Sequence, residues 1–176
     1  RKMILPSKRI IMCIDGVAGV GKMAQQRQRR FKTDMEFDKT KFNSNTISAG
    51  TEFMSYLSKY VDWYIRQKQN TDDEWKNLEI VFSNEKVPGE GEHKIINYIR
   101  EKGKESESFC IHGLDADLIM LGMSLKKNDV YILRDNITRF GTYDSHLVNI
   151  SQLKTEINNR LNWNSDEDKK QTYQKD

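Results

Sequence analysis

Apolar residues along this chain fall into short unbroken runs, separated by longer stretches of helical period. The runs are Arg9-Ile10-Ile11-Met12-Cys13-Ile14, Leu78-Glu79-Ile80-Val81-Phe82-Ser83, Phe109 to His112 and Val130 to Leu133. Unbroken rather than alternating apolarity predicts strands covered on both faces, as in a parallel sheet. Between them, Lys22 to Lys32 is helix-prone. Phe53, Met54, Leu57, Tyr60, Val61, Tyr64 and Ile65 recur at helical spacing behind a candidate N-cap, Thr51. The aromatic members of that stripe are expected in the core, not as a base-stacking platform. Pro88 to His93 reads as a turn entering a helix whose apolar face holds Ile95, Ile96 and Ile99, and Leu118 to Ser124 as a short helix. Residues 33–50 are polar and read as a loop. Strand alternating with helix predicts an α/β fold: three layers, with a mostly parallel sheet flanked by helices.

Composition narrows the class. The 176 residues are 36% hydrophobic and 31% charged, which suits one soluble domain over 1–161, with the polar segment 162–176 as a linker or insertion edge. No apolar run approaches the roughly 20 residues of a membrane span. The first ten residues lack the apolar stretch of a signal peptide. The absent start Met and the polar tail suggest a piece of a longer protein. Cys13 and Cys110 both lie in strand-like runs and read as buried thiols of a reducing, intracellular compartment, cytoplasm or nucleus. Charge is uneven: residues 1–32 hold nine of the 29 Lys and Arg but one of the 26 acids, Asp15. A basic segment on a mildly acidic body points to a polyanion partner held at one place.

The acids carry the chemistry. Asp115 and Asp117, one residue apart, lie between the apolar runs Phe109-Cys110-Ile111 and Leu118-Ile119-Met120-Leu121. Carboxylates set in core-like sequence need a cation. Asp15 follows the first strand, Glu90 and Glu92 the second, and Asp115 and Asp117 the third. In open α/β sheets the functional rim lies where strands end, so the five acids are expected to converge there. Singly, each has a plainer role: a turn at Asp15-Gly16, favourable dipole charges at Glu90 and Glu92, a helix cap at Asp115 or Asp117. Together, with no matching Lys or Arg in sequence beside the last four, they suit Mg²⁺ or Mn²⁺, expected as two ions.

The basic helix supplies the other half. At about 100° per residue, Lys22, Gln26, Arg29 and Arg30 fall at roughly 0°, 40°, −20° and 80°, one face of the helix. That face follows a Gly-rich turn whose N–H groups can approach an anion, making it a candidate terminal-phosphate pocket. Gly16 to Lys22 also fits G-x-x-x-x-G-K, the phosphate loop of nucleotide triphosphatases. Met23 then stands where that loop needs Ser or Thr to reach Mg²⁺, and Asp15 would set a negative charge beside the phosphates.

At these residues a family resemblance enters. Ile14-Asp15-Gly16-Val17-Ala18, Lys22-Met23, and Gln25 to Phe31 resemble the N-terminal region of 5′→3′ exoribonucleases of the Xrn family. So do Asn43-Ser44-Asn45 with Gly50 to Met54, Val87 to Ile95, and Gly113 to Gly122, all in one order along the chain. The resemblance implies a PIN/flap-nuclease-like fold and metal-dependent removal of nucleotides from single-stranded RNA bearing a 5′-monophosphate. By position, Asp15, Glu90, Glu92, Asp115 and Asp117 would be metal-site acids, and Lys22, Gln26, Arg29 and Arg30 would line the 5′-phosphate pocket. There are departures. Gly19-Val20-Gly21 stands where the family usually has Pro-Arg-Ala. An earlier Asp and a later Gly-Asn-Asp-Phe-type motif are not among these residues, and the family's base-stacking His and Trp have no match, so the metal site is expected to be incomplete here. The rival readings are a flap-type DNA nuclease and an inactive RNA-binding fragment.

Overall fold

A computed structural model of the chain describes residues 4–35, 42–127, 129–137 and 143–161. The elements in order are β1 (Arg9–Cys13), α1 (Val20–Met35), a 3₁₀ turn (Ser44–Thr46), α2 (Glu52–Thr71), α3 (Asp73–Lys76), β2 (Glu79–Ser83), α4 (Gly91–Lys102), β3 (Phe109–His112), α5 (Asp117–Met123), β4 (Val130–Ile137), β5 (Tyr143–Asn149) and α6 (Ile150–Arg160). The chain divides into two compact units, Arg1–Asn97 and Tyr98–Asp176. The division falls inside α4.

In the first unit β1 and β2 pair in parallel, from Arg9 opposite Glu79 to Cys13 opposite Ser83. The Thr51 side chain caps α2 as expected, accepting from the Met54 N–H at 3.3 Å. Asp72 ends α2 and starts α3, its side chain accepting from the Glu74 N–H. The core of this unit includes Met54, Ile65, Leu78 and Ile96.

The aliphatic part of the expected stripe on α2 faces inward, with Met54 and Ile65 buried and Leu57 and Val61 half-buried, but its aromatic members do not. Met54, Ser58 and Ile65 are its buried residues. Tyr60 and Tyr64 are exposed, as are Tyr56 and Trp63. The physical reason is polar: the Ser58 hydroxyl donates to the buried carboxylate of Glu85, which turns the Ser58 stripe inward. The Tyr60 and Trp63 rings instead pack on each other, 5.5 Å apart.

In the second unit β3 pairs in parallel with β4, and β4 pairs antiparallel with β5, Tyr131 opposite Asn149 through Ile137 opposite Tyr143. Ile111, Leu118, Leu125, Val130, Ile132 and Ile150 are its buried apolar residues, with Ile99 from α4. The fold is thus mixed α/β. Within the units, β1 and β2 form a two-stranded sheet and β3, β4 and β5 a three-stranded one; two of the three pairings are parallel, as expected, and one is antiparallel. Antiparallel neighbours need only a short connection, so β4 and β5 pair locally without a crossover helix. Cys13 is half-buried, but Cys110 is exposed rather than a buried thiol. The expected polar tail, 162–176, lies outside the described residues. No described helix is long and apolar enough to cross a membrane.

One glycine decides how closely the loops after β1 and β2 approach. A Cβ at Gly16 would overlap the Val87 carbonyl, whereas Gly21, within α1, has open space at the same position. Gly16→Ala should therefore cost about 1–3 kcal/mol, and Gly21→Ala should instead add about 0.5–1 kcal/mol. Urea denaturation of the two variants checks both signs.

Candidate functional site

The first-unit site is built at the ends of β1 and β2. The parallel ladder continues one step past the strands, through the Ile14 N–H to the Ser83 carbonyl. The loops beyond are zipped together: the Gly16 N–H donates to Gly89 and the Gly89 N–H to Val17, both at 2.9 Å. Gly89 accepts this geometry because its φ is +104°, a region that favours glycine. The Gly16 amide is therefore engaged within the protein.

Lys94 locks the arrangement. From α4 its ammonium donates to the Ile14 carbonyl at 2.8 Å and to the Asn84 carbonyl at 2.9 Å. Burial pushes its pKa below the ordinary lysine value, against the opposing pull of Cys13, Asp15 and Glu85. Cys13 shifts the other way: burial raises its thiol pKa, and the nearby Lys94 charge partly offsets this. Neither Lys94 nor Glu85 stood out in the sequence as a site residue. Lys94 sits in the Gly-Glu-Gly-Glu-His-Lys run, whose local pattern marks the acids and gives no sign that the lysine reaches two strand-end carbonyls.

Asp15 comes off the end of β1, where its Oδ1 accepts from the Gly91 N–H at the start of α4, at 2.6 Å. It also lines a cavity of about 430 Å³, whose walls include Gln26, Arg29 and Arg30 of α1 and Ser44, Asn45 and Ser48 around the 3₁₀ turn. Three of the four expected phosphate ligands thus share one cavity with one of the expected acids. Lys22 is not among the lining residues. Its ammonium instead pairs with Glu90 at 2.9 Å. That ion pair answers the apparent lack of a cation beside Glu90: the partner comes from 68 residues earlier in the chain. Glu92 stands in the first turn of α4, where the helix dipole favours a carboxylate.

In the second unit, Asp115 and Asp117 lie on the turn from β3 into α5, both exposed. The cap position of α5 is Ala116, with no side-chain cap bond, so neither acid caps the helix. A carboxylate oxygen of Asp115 lies within 4.8 Å of one of Asp117. Neither acid has an ion pair or hydrogen bond among the described residues. Arg134 reaches this turn, but donates to the Leu114 carbonyl at 2.7 Å rather than to either carboxylate. Two close, unneutralised carboxylates are a donor set that suits a hard divalent cation. Nearby, Asp135 accepts from Ser145 and contacts His112 Nε2 at 2.8 Å, and these bonds lower its pKa.

Residues 1–136 match the family profile described as XRN 5′-3′ exonuclease N-terminus. The chain is 43% identical over 162 residues to the 5′-3′ exoribonuclease 1 of Saccharomyces cerevisiae, covering 81% of this chain and 10% of that protein. It is 39% identical over 160 residues to the human 5′-3′ exoribonuclease 1, covering 80% of this chain and 9% of that one. The 5′-3′ exoribonuclease 2 of Arabidopsis thaliana is 39% identical over 163 residues, covering 76% and 16%. The chain therefore spans about a tenth of the length of the first relatives, 10% and 9% of the two proteins named exoribonuclease 1.

Lys94 gives the site a pH signature. Its folded pKa is lowered, so the folded chain binds fewer protons than the unfolded chain between that value and the ordinary one near 10.4. The charged lysine thus costs stability below that window, and stability from this group rises as pH climbs through it. Lys94→Met should abolish that slope. It should also lower stability by about 1–3 kcal/mol by leaving two strand-end carbonyls unpaired. Denaturation of both proteins between neutral and alkaline pH reads both effects.

Proposed function

The chain belongs to the XRN 5′-3′ exonuclease N-terminus family, and on that premise we propose that it is the N-terminal nuclease part of a 5′→3′ exoribonuclease. Its substrate is single-stranded RNA carrying a 5′-monophosphate, and its fold is of the PIN/flap-nuclease type. The observation that carries this is the cavity in which Gln26, Arg29 and Arg30 share walls with Asp15.

The chemistry follows from those side chains. A terminal phosphate carries more charge than a bridging one, and two guanidinium forks can meet its oxygens in pairs. Gln26 is half-buried and adds a neutral donor. The cavity is bounded by protein on several sides, so a bulkier capped end fits less well than a monophosphate. Lys22, whose ammonium pairs with Glu90 at 2.9 Å, is the fourth proposed phosphate ligand.

The proposed metal ligands are Asp15, Glu90 and Glu92 in the first unit and Asp115 and Asp117 in the second, for Mg²⁺ or Mn²⁺. The residues fit in chemical type, all being oxygen donors. They fit best at Asp115 and Asp117, which no protein cation neutralises among the described residues. Asp15 engages one oxygen at Gly91 and keeps its second for a ligand. Bound divalent ions would supply an activated water and charge neutralisation for the leaving oxygen. The nucleotide triphosphatase alternative lacks the Ser or Thr that its loop needs after Lys22, where Met23 stands.

In the complete protein, Asp115→Ala should abolish cleavage and leave RNA binding within about twofold of wild type. Retained cleavage would overturn the metal assignment. Arg29→Ala should shrink the preference for 5′-phosphorylated over 5′-hydroxyl RNA by roughly tenfold or more, as loss of a charge-assisted contact predicts. A panel of 5′-phosphorylated RNA, single-stranded DNA and flap DNA separates this reading from that of a DNA nuclease.

A further inference from the structure

We propose that Arg134 is the positioning residue of the metal acids: by holding the Leu114 carbonyl it sets the turn on which Asp115 and Asp117 stand. It touches neither the ion nor the RNA. The proposal rests on reading those two acids as metal ligands.

The turn after β3 has little of its own to fix it. The cap position of α5 is Ala116, which makes no side-chain cap bond, and a residue without a side-chain oxygen is a poor cap. The turn is held instead from β4. The Gly113 N–H donates to the Leu133 carbonyl at 3.1 Å. One residue on, a terminal nitrogen of Arg134 donates to the Leu114 carbonyl at 2.7 Å. Successive side chains of a strand point to opposite faces, and from the other face of β4 Asp135 meets His112 Nε2 at 2.8 Å while accepting from the Ser145 hydroxyl at 2.6 Å. Three consecutive residues, His112, Gly113 and Leu114, are thus gripped by Leu133, Arg134 and Asp135. The Leu114 carbonyl shares one planar peptide with the Asp115 N–H. The Arg134 bond therefore fixes the plane from which Asp115 departs, just before the start of the helix that carries Asp117.

Stability alone does not account for the arginine. Its Nε is buried with no hydrogen-bond partner among the described residues, and an unmet buried donor is destabilising. An arginine placed for its charge would meet a carboxylate, yet its bond goes to a backbone carbonyl. Holding that carbonyl orders the turn and leaves the oxygens of both acids to a cation.

Binding of Mn²⁺ alone to the complete protein, followed by electron paramagnetic resonance, tests this, because the two possible roles of Arg134 have opposite signs. As a neighbouring charge only, Arg134 repels the ion, and its removal strengthens binding. As the positioning residue, its removal weakens binding. Arg134→Met should weaken the Mn²⁺ binding that Asp115→Ala removes by roughly tenfold or more, the usual effect of losing a group that orients a metal ligand. Arg134→Gln, gentler on the fold and too short to reach the carbonyl, should do the same. Arg134→Lys, which keeps a donor on a long stem, should bind nearly as wild type does. Lys127→Met is the control for general loosening: the Lys127 ammonium donates to the Gly103 carbonyl and to Glu105 in the same unit, and its loss should leave Mn²⁺ binding unchanged. The proposal is overturned if Arg134→Met or Arg134→Gln binds Mn²⁺ as tightly as wild type or more tightly. It is also overturned if Arg134→Lys or Lys127→Met weakens binding as much as Arg134→Gln does. Full Mn²⁺ binding by Asp115→Ala would instead overturn the metal reading of the acids.

Discussion

The ammonium of Lys94 is the contact on which the first unit depends. Parallel strands end abruptly, and the carbonyls just past the last rung have no ladder partner. Here those groups belong to Ile14 and Asn84, and one lysine from α4 donates to both. A buried carbonyl left unmet is expensive, so the helix start is held over the strand ends. That placement brings the Gly91 N–H to Asp15. The position of the first acid is thus set by the same clamp that closes the small sheet. The charge of Lys94 is balanced locally: Glu85, buried and hydrogen-bonded to Ser58, lies within its field.

Electrostatics then divides the basic helix. Lys22 and the arginines lie on overlapping faces of α1, yet they meet different partners. Lys22 is near the start of α1, within reach of Glu90, and forms an ion pair there. Arg29 and Arg30 lie two turns further on and face the cavity bounded by the 3₁₀ turn. The division suits the chemistry of each side chain. An ammonium is a compact point charge that a single carboxylate can satisfy, whereas a guanidinium fork matches the paired oxygens of a phosphate. Asn45 braces the second group by holding the Arg30 backbone.

Much of the secondary structure was legible because its signals are local. The unbroken apolar runs became β1 to β4, Thr51 became the cap of α2, and the Pro-Gly turn led into α4. Two elements were missed for different reasons. β5, Tyr-Asp-Ser-His-Leu-Val-Asn, is mostly polar, and it is a strand because β4 offers it an edge. For α6 the signal was present: Asn149 caps the helix at the Gln152 N–H, and Ile150, Leu153 and Ile157 recur at helical spacing. The division into two sheets was not legible, because strand pairing is set by distant residues. Nor was the exposure of Tyr60 and Tyr64: the helical period of α2 gave the inward side of Met54 and Ile65, and Ser58 joins that side through a contact with Glu85, 27 residues away in sequence.

The same limit explains what happened to the acids. Sequence grouped Asp15, Glu90, Glu92, Asp115 and Asp117 as one class, because a carboxylate has the same chemistry wherever it occurs. Their partners distinguish them. Asp15 receives a backbone N–H and Glu90 a lysine, so part of the charge on each is answered by the fold. Asp115 and Asp117 have a carboxylate oxygen each within 4.8 Å of the other, and no hydrogen bond or ion pair among the described residues relieves them. Arg134, which could have done so, is turned to a backbone carbonyl. Two neighbouring carboxylates whose nearby guanidinium is turned elsewhere offer an oxygen-donor set of the kind a hard divalent cation takes. That makes Asp115-Ala116-Asp117 the strongest part of the proposed metal site, ahead of the acids whose charge the protein has already met.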